Sequence, residues 1–424
     1  MRRISSLFLL LLTVGVTLAT AASRVGTELR VSVNDTPRQR YPVAALDGQG
    51  GALVAWANSR LGILARRIAV DPASTTSGAE MRLLANVNLP AIPGEGEVIA
   101  HKEPALLYQA DGSFWIVWTH ERAYLKSAPF HDTRTVLAQE IRARKFNAQG
   151  QPAGDTVFIG KGAPPFQTNP RVLRTANGIV VAWQTNDQKG QQPTGNGIYA
   201  RFLDANGAPL GAAFRVSQNA DLVAANPTLA AAGDGRVLVA WDAPDASSTG
   251  VYRRVYSAAG VALGDAARVN TSVDGRQAHP SAAWLDGSGF LVLWHGATGE
   301  RFRTRIYGQR LDGNGQAIGG QIEISRGLEE YEYDPAVIAT QKGTFLVAWM
   351  LWDKSFPRAL RAVELTATGA LRPGTGEINV NTFRMDAQYR TFLTTRPGGG
   401  VLAVWEGFHE RRAGISAQRI ALSE

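Results

Sequence analysis

An all-β fold, a seven-bladed β-propeller with four-stranded blades, is what the sequence predicts, and three observations predict it. An apolar run ending in tryptophan recurs seven times, at Trp56, Trp118, Trp183, Trp241, Trp294, Trp349 and Trp405, with spacings between 53 and 65 residues. Each run lies in a unit of four short β-rich stretches separated by Gly, Asn and Asp turns, and no segment keeps a helical period. The seventh unit stops after its third stretch, and a piece that would supply the fourth lies near the N-terminus.

The elements of a unit follow one order. A proline opens it: Pro42, Pro104, Pro170, Pro227, Pro280 and Pro335, with Tyr389 in that place in the seventh unit. A short apolar stretch follows, then a small-residue turn such as Asp286-Gly287, then the Trp-ending run (GALVAW, SFWIVW, GIVVAW, RVLVAW, GFLVLW, TFLVAW, GVLAVW). The third stretch carries arginines, as in ILARRI, GIYARFL and GVYRRVY, and the fourth is short, as in AAFRV or EINV. A four-stranded sheet has two apolar faces, and a neighbouring blade must bury each, so the strands read as nearly continuous apolar runs. GTELRVSVN from Gly26 matches GAAFRVSQN from Gly211. Residues 28–33 are therefore expected to complete blade seven and close the ring without a covalent link.

The pattern G-[FIV]-[LV]-V-[AL]-W, followed by [IV]-Y-x-[RQ]-[RFV] and a D-x-x-G turn, resembles propeller repeats of exported bacterial proteins. The resemblance covers residues 28–422. It implies architecture and carries over no functional residue. The repeated S-x-D-x-G-x-T-W box of sialidases, the G-H and W-D pairs of WD40 repeats and the double glycines of kelch repeats are absent from the sequence.

Arg2 and Arg3, an apolar run over 7–18 and small residues over 19–22 read as a signal peptide, 1–21, leaving 22–424 as one propeller domain. No later segment is long enough to span a membrane. The 424 residues contain no cysteine, which excludes disulfides, thiolate metal sites and a cysteine nucleophile. Export without cysteine fits a bacterial periplasmic or secreted protein. Lys and Arg number 44 against 36 Asp and Glu, a net charge of +8, but the positive residues form no long run. The recurring third-strand arginines read as half-exposed strand positions, so no nucleic-acid partner is expected.

The segment Asp312-Gly313-Asn314-Gly315 has the start of a calcium loop without its glutamate, and Asp204-Ala205-Asn206-Gly207 fills the same place in another repeat. Both read as hairpin turns. No H-E-x-x-H, G-x-S-x-G or G-K-[ST] loop occurs.

All six histidines fall where second strands end or where one blade passes to the next, which puts them on one face. The longest connections, over 86–103, 119–138 and 325–334, lie on that face too and are read as loops. The residue before each opening proline is expected at the mouth of the central channel: Tyr41, Glu103, Asn169, Asn226, His279 and Asp334, with Gln388 in the seventh unit. A local reading competes: a pre-proline residue is held extended, and Asn or Asp there bonds its own turn. The candidate ligand site is Glu103, His279 and Asp334, backed by Asp242, His295 and Glu406 after the blade tryptophans. No cofactor motif is present, and carboxylate with imidazole suits a divalent metal there. The first functional expectation is an exported, non-catalytic binding or scaffold protein presenting its loop-rich face to a glycan or protein partner. The alternative is a polysaccharide-acting hydrolase or lyase with acid/base residues at the channel mouth.

Overall fold

The computed structural model describes residues 21–33, 38–47, 50–69, 77–92, 95–126, 133–186, 196–218, 223–297, 303–325, 331–352, 359–382, 388–396, 399–409 and 412–423. The expected signal peptide, apart from Ala21, lies outside them. The chain forms seven antiparallel sheets and, among the described residues, no helix. Each sheet is a four-stranded meander of consecutive strands, with two exceptions. Blade two gains a fifth strand, Val87–Ile92, beside its innermost one. Blade seven takes its outer strand, Ser23–Arg30, from the N-terminus, paired antiparallel to Arg412–Ala421. The expected closure is therefore observed. Val31 N–H continues the pairing to the Ile415 carbonyl at 2.8 Å, and Glu28 accepts from both Thr382 N–H and Oγ1 at 2.8 and 2.6 Å.

The core is one apolar layer between each pair of neighbouring blades, seven in all. Strand alternation builds it. In blade one, Ala52, Val54 and Trp56 pack toward blade seven, while Leu53 and Ala55 pack toward blade two. The same rule turns every blade tryptophan toward the preceding blade, and all seven are at most 2% exposed. Both faces of the Trp strand are thus buried, which is why no polar alternation marks it in the sequence.

The turn between third and fourth strands is what the sequence suggests. Asp312 Oδ1 accepts from Asn314 and Gln316 N–H, both at 2.8 Å, and Asp204 Oδ1 does the same for Asn206 and Ala208. Gly315 and Gly207 supply the left-handed backbone, φ 82° and 84°. The acid closes its own turn and leaves no calcium loop. The third-strand arginines likewise have a local use: Nε of Arg144, Arg201 and Arg254 donates to the carbonyl of Gly154, Gly211 and Gly264 in the turn beyond.

Two expectations need correction. The connections expected as loops in blade two are largely strand: Glu95–Tyr108, Phe114–Lys126 and Thr133–Phe146 run well past the ring as a hairpin. Cross-strand pairing explains it, since Glu97 faces Tyr124 and Lys102 faces Thr119 in an unbroken ladder. Residues 127–132 of the 119–138 connection and 326–330 of the 325–334 connection lie outside the described residues.

The second correction concerns the seventh unit. In every blade the innermost strand is interrupted by a bulge of two residues, Asn226 and Pro227 in blade four for example. In blade seven the bulge falls between Tyr389 and Phe392, so Arg390, not Gln388, occupies the channel-mouth position. Gln388 is two residues earlier, buried like Gln39, Gln167 and Gln277 at the same distance from their bulges. The absent proline misaligned the unit; the glutamine two residues ahead was the better marker.

Candidate functional site

The bulges build the site. The seven innermost strands touch one another in sequence around the ring, and blade seven touches blade one. They line a central channel. At each bulge the first residue is left-handed: φ is 59° at Tyr41, 50° at Glu103, 55° at Asn169, 52° at Asn226, 55° at His279, 51° at Asp334 and 48° at Arg390. The local reading of an extended pre-proline residue is thereby corrected. Left-handed backbone costs a non-glycine residue on the order of 1–2 kcal/mol, and Asn, Asp and His bear it best. Four of the seven positions hold those types. The prolines that follow are buried and have no N–H to leave unpaired at the break in the ladder.

At four of these positions the backbone N–H meets the residue after the tryptophan of the preceding blade, which accepts it. Asn226 N–H reaches Gln184 Oε1 at 2.9 Å, His279 N–H reaches Asp242 Oδ2 at 2.7 Å and Asp334 N–H reaches His295 Nδ1 at 3.3 Å. Tyr41 N–H donates to Glu406 across the ring closure. In blade two Thr119 fills the position, and Glu103 bridges: its Oε2 takes Thr119 Oγ1 at 2.8 Å and Asn169 N–H at 2.7 Å. Ala57 and Met350 occupy the same place in blades one and six and offer no such acceptor. A belt of interblade hydrogen bonds thus spans five of the seven blade junctions at the mouth.

The six predicted residues all lie in this belt, in two groups. Asp242, His279, His295 and Asp334 form one. His279 Nδ1 lies 2.6 Å from Asp334 Oδ1, and the rings of His279 and His295 are 4.9 Å apart. Asn226 Nδ2 adds a 2.9 Å bond to Asp242. Burial disfavours a charge on His279, but the Asp334 hydrogen bond and the Asp242 charge outweigh it and raise its pKa. Burial works against the Asp334 carboxylate too, yet His279 holds it below its ordinary range. His295, buried beside His279, is driven down to about 3 and is neutral at physiological pH. Burial raises Asp242 despite its two hydrogen bonds.

Glu103 and Glu406 form the other group, with Tyr41 between them. Burial raises Glu406 against the opposing pull of Arg390 and Arg40. The Arg390 guanidinium stacks over the Tyr41 ring at 3.8 Å. Burial and the Glu103 charge both raise the Tyr41 hydroxyl. Arg171, on the innermost strand of blade three, extends into the channel within reach of the charges on Glu103 and Arg390. It is solvent-accessible yet ringed by protein, and desolvation lowers it to about 10, which leaves it fully charged. Arg390 and Arg171 are site residues that the sequence reading missed. The first was hidden by the absent proline. The second follows its bulge on a strand with no polar period.

Two further histidines, His101 and His120, face each other in the blade-two hairpin, 5.2 Å apart. Burial lowers both to about 4.

No family model matches the sequence, and no curated protein does. Similar solved structures are numerous. A protein of unknown function from Dyadobacter fermentans is 12% identical with a TM-score of 0.52, covering 95% of this chain and 99% of that one. An intramolecular trans-sialidase from Ruminococcus gnavus is 10% identical with a TM-score of 0.50, over 80% of this chain and 96% of that one. A puromycin-hydrolyzing peptidase from Mycobacterium tuberculosis is 15% identical with a TM-score of 0.51, over 87% of this chain and 52% of that one. At these identities the likeness is one of fold. The expectation of a non-catalytic binding or scaffold protein is nevertheless corrected by the comparison. The trans-sialidase shows an enzyme on a ring of this fold, and the polysaccharide-acting alternative is taken up below as a proposal.

Proposed function

We propose that the chain is an exported hydrolase or lyase acting on a polysaccharide, with its acid and base at the mouth of the central channel. The observation that carries this reading is the pairing of Glu406 and Glu103 on either side of Tyr41. One carboxyl is buried and raised, so that it keeps a proton to higher pH than an ordinary glutamate. The other accepts hydrogen bonds from Thr119 and Asn169, which orient a carboxylate. Carboxyl groups held in such different surroundings divide the roles of general acid and of base or nucleophile in glycoside cleavage. Arg390 and Arg171 would orient an anionic sugar beside them. Export is supported by the leader-like residues 1–21, and no helix among the described residues is long and apolar enough to cross a membrane.

The test is a panel of neutral and acidic polysaccharides scored for new reducing ends, the product of a hydrolase, and for unsaturated sugar absorbance, the product of a lyase. Turnover by the parent, with loss in a Glu103→Gln, Glu406→Gln double variant of native circular dichroism, is expected. No product from any polymer, or equal turnover by the variant, would remove the reading.

A further inference from the structure

We propose that His279, His295 and Asp334 form a binding site for a divalent transition-metal ion, Zn2+ in the first instance, at the channel mouth. The proposal does not depend on the polysaccharide reading. Each residue offers a ligand atom, and the three atoms lie within 4.8 Å of one another, among the described residues the one such trio of His, Asp and Glu side chains. Tetrahedral ligand bonds of about 2.0–2.2 Å put donor atoms roughly 3.4 Å apart, inside the widest separation of the trio and outside its narrowest. The His279–Asp334 pair, now at 2.6 Å, opens and the widest pair closes by on the order of 1 Å, within the reach of side-chain rotation.

The trio is held from behind. The His279 backbone is pinned by its N–H bond to Asp242 and by its place in the bulge. His295 is 3% exposed, and its Nδ1 takes the Asp334 N–H, which leaves Nε2 to the metal. His279 and Asp334 are reached from the mouth, with side-chain exposures of 39% and 25%. A metal would replace the present His279–Asp334 contact, and the carboxylate then serves as ligand in place of hydrogen-bond acceptor. Two imidazoles and one carboxylate select a borderline ion such as Zn2+ over Ca2+ or Mg2+, which take oxygen donors. Three protein ligands leave at least one coordination position open toward the channel, where an oxygen atom of a ligand can enter.

The ring itself supplies conservative variants. Asn occupies the His279 position in blades three and four, and Gln184 occupies the His295 position in blade three. His279→Asn, Asp334→Asn and His295→Gln therefore suit their backbones. Untagged protein, dialysed against chelator, is titrated with ZnCl2 by calorimetry, with CaCl2 as the control and no glycan present. Cobalt substitution, read by visible absorption, reports the donor set independently. The expected result is one equivalent of Zn2+ per chain, a rise in melting temperature with Zn2+, and affinity at least about tenfold weaker in each variant. Absence of a one-equivalent isotherm, unchanged affinity in His279→Asn and Asp334→Asn, or tighter binding of Ca2+ than of Zn2+ would each overturn the assignment. None of these readouts involves turnover, so failure of the polysaccharide reading and failure of the metal site are told apart.

Discussion

Seven residues at the channel mouth hold a backbone conformation that six of the seven sequence slots disguise. Pre-proline residues are ordinarily extended, yet these are left-handed, and at most junctions the bulge aims their N–H at an acceptor of the preceding blade. The strain is local and measurable. At Asn169, φ 55°, a β-branched residue clashes with its own backbone, whereas glycine does not. Asn169→Val should lower stability by on the order of 1–2 kcal/mol more than Asn169→Gly, compared by urea midpoints. Equal midpoints would mean that the bulge relaxes without cost. Both substitutions remove the same side-chain contacts with Gln184, Asn226 and Arg171, so the difference between them isolates the backbone. The candidate residues were legible because they recur beside a proline and a tryptophan. Arg390 was not, since its unit lacks the proline, and Arg171 was not, since a channel-lining strand leaves no period to read.

At the scale of the element, the interblade layers and the hairpin tips carry the fold. Trp241, 2% exposed, fills the layer between blades three and four, so Trp241→Ala should cost about 3–5 kcal/mol. The tip of the blade-three hairpin presses on blade two: a Cβ added at Gly207 would stand 2.3 Å from the Trp115 ring, at φ 84°. Gly207→Ala should therefore destabilise, since Gly207 is the buried residue of an otherwise exposed turn, and a melting temperature equal to the parent's would contradict the packing. Repeats made these elements readable from the sequence, since one blade's turn predicts the next. The blade-two hairpin escaped because it has no counterpart in the other six units. Its strands had to be inferred from their own alternation, which a run such as THERAYLK shows only faintly.

At the scale of the molecule, both chain ends are secured. Deleting residues 22–34 removes the outer strand of blade seven and bares the edge of Arg412–Ala421, so the shortened protein should aggregate or melt earlier. A monomer with an unchanged melting temperature would refute the closure. The C-terminus is tied by Glu364, fully buried, which accepts from Ser423 N–H at 2.9 Å, Thr344 Oγ1 at 2.8 Å and Arg372 at 2.8 Å. Burial raises this carboxyl, but those hydrogen bonds outweigh it and leave its pKa below the ordinary value. Its contribution is thus complete above the unfolded pKa of about 4.3 and is lost as pH falls through the lower folded value. Glu364→Gln should weaken the protein at neutral pH and flatten the acid limb of its stability profile. A variant whose acid limb matches the parent's would show that Glu364 titrates alike in the folded and unfolded chain, against the lowered value.

On the proposed function a glycosidic bond is broken at the channel mouth, with Glu406 as the proton donor. The pH dependence of kcat/KM for the parent and for Glu406→Gln, on whichever polysaccharide the parent cleaves, tests this most directly. Activity of the parent should fall as pH rises through the raised pKa of Glu406, at a higher pH than an ordinary glutamate would set. Glu406→Gln should lose about 10²–10⁴-fold in rate and lose that alkaline limb, with its melting temperature unchanged. A variant with parental rate and the same alkaline limb would place the acid elsewhere and contradict the account.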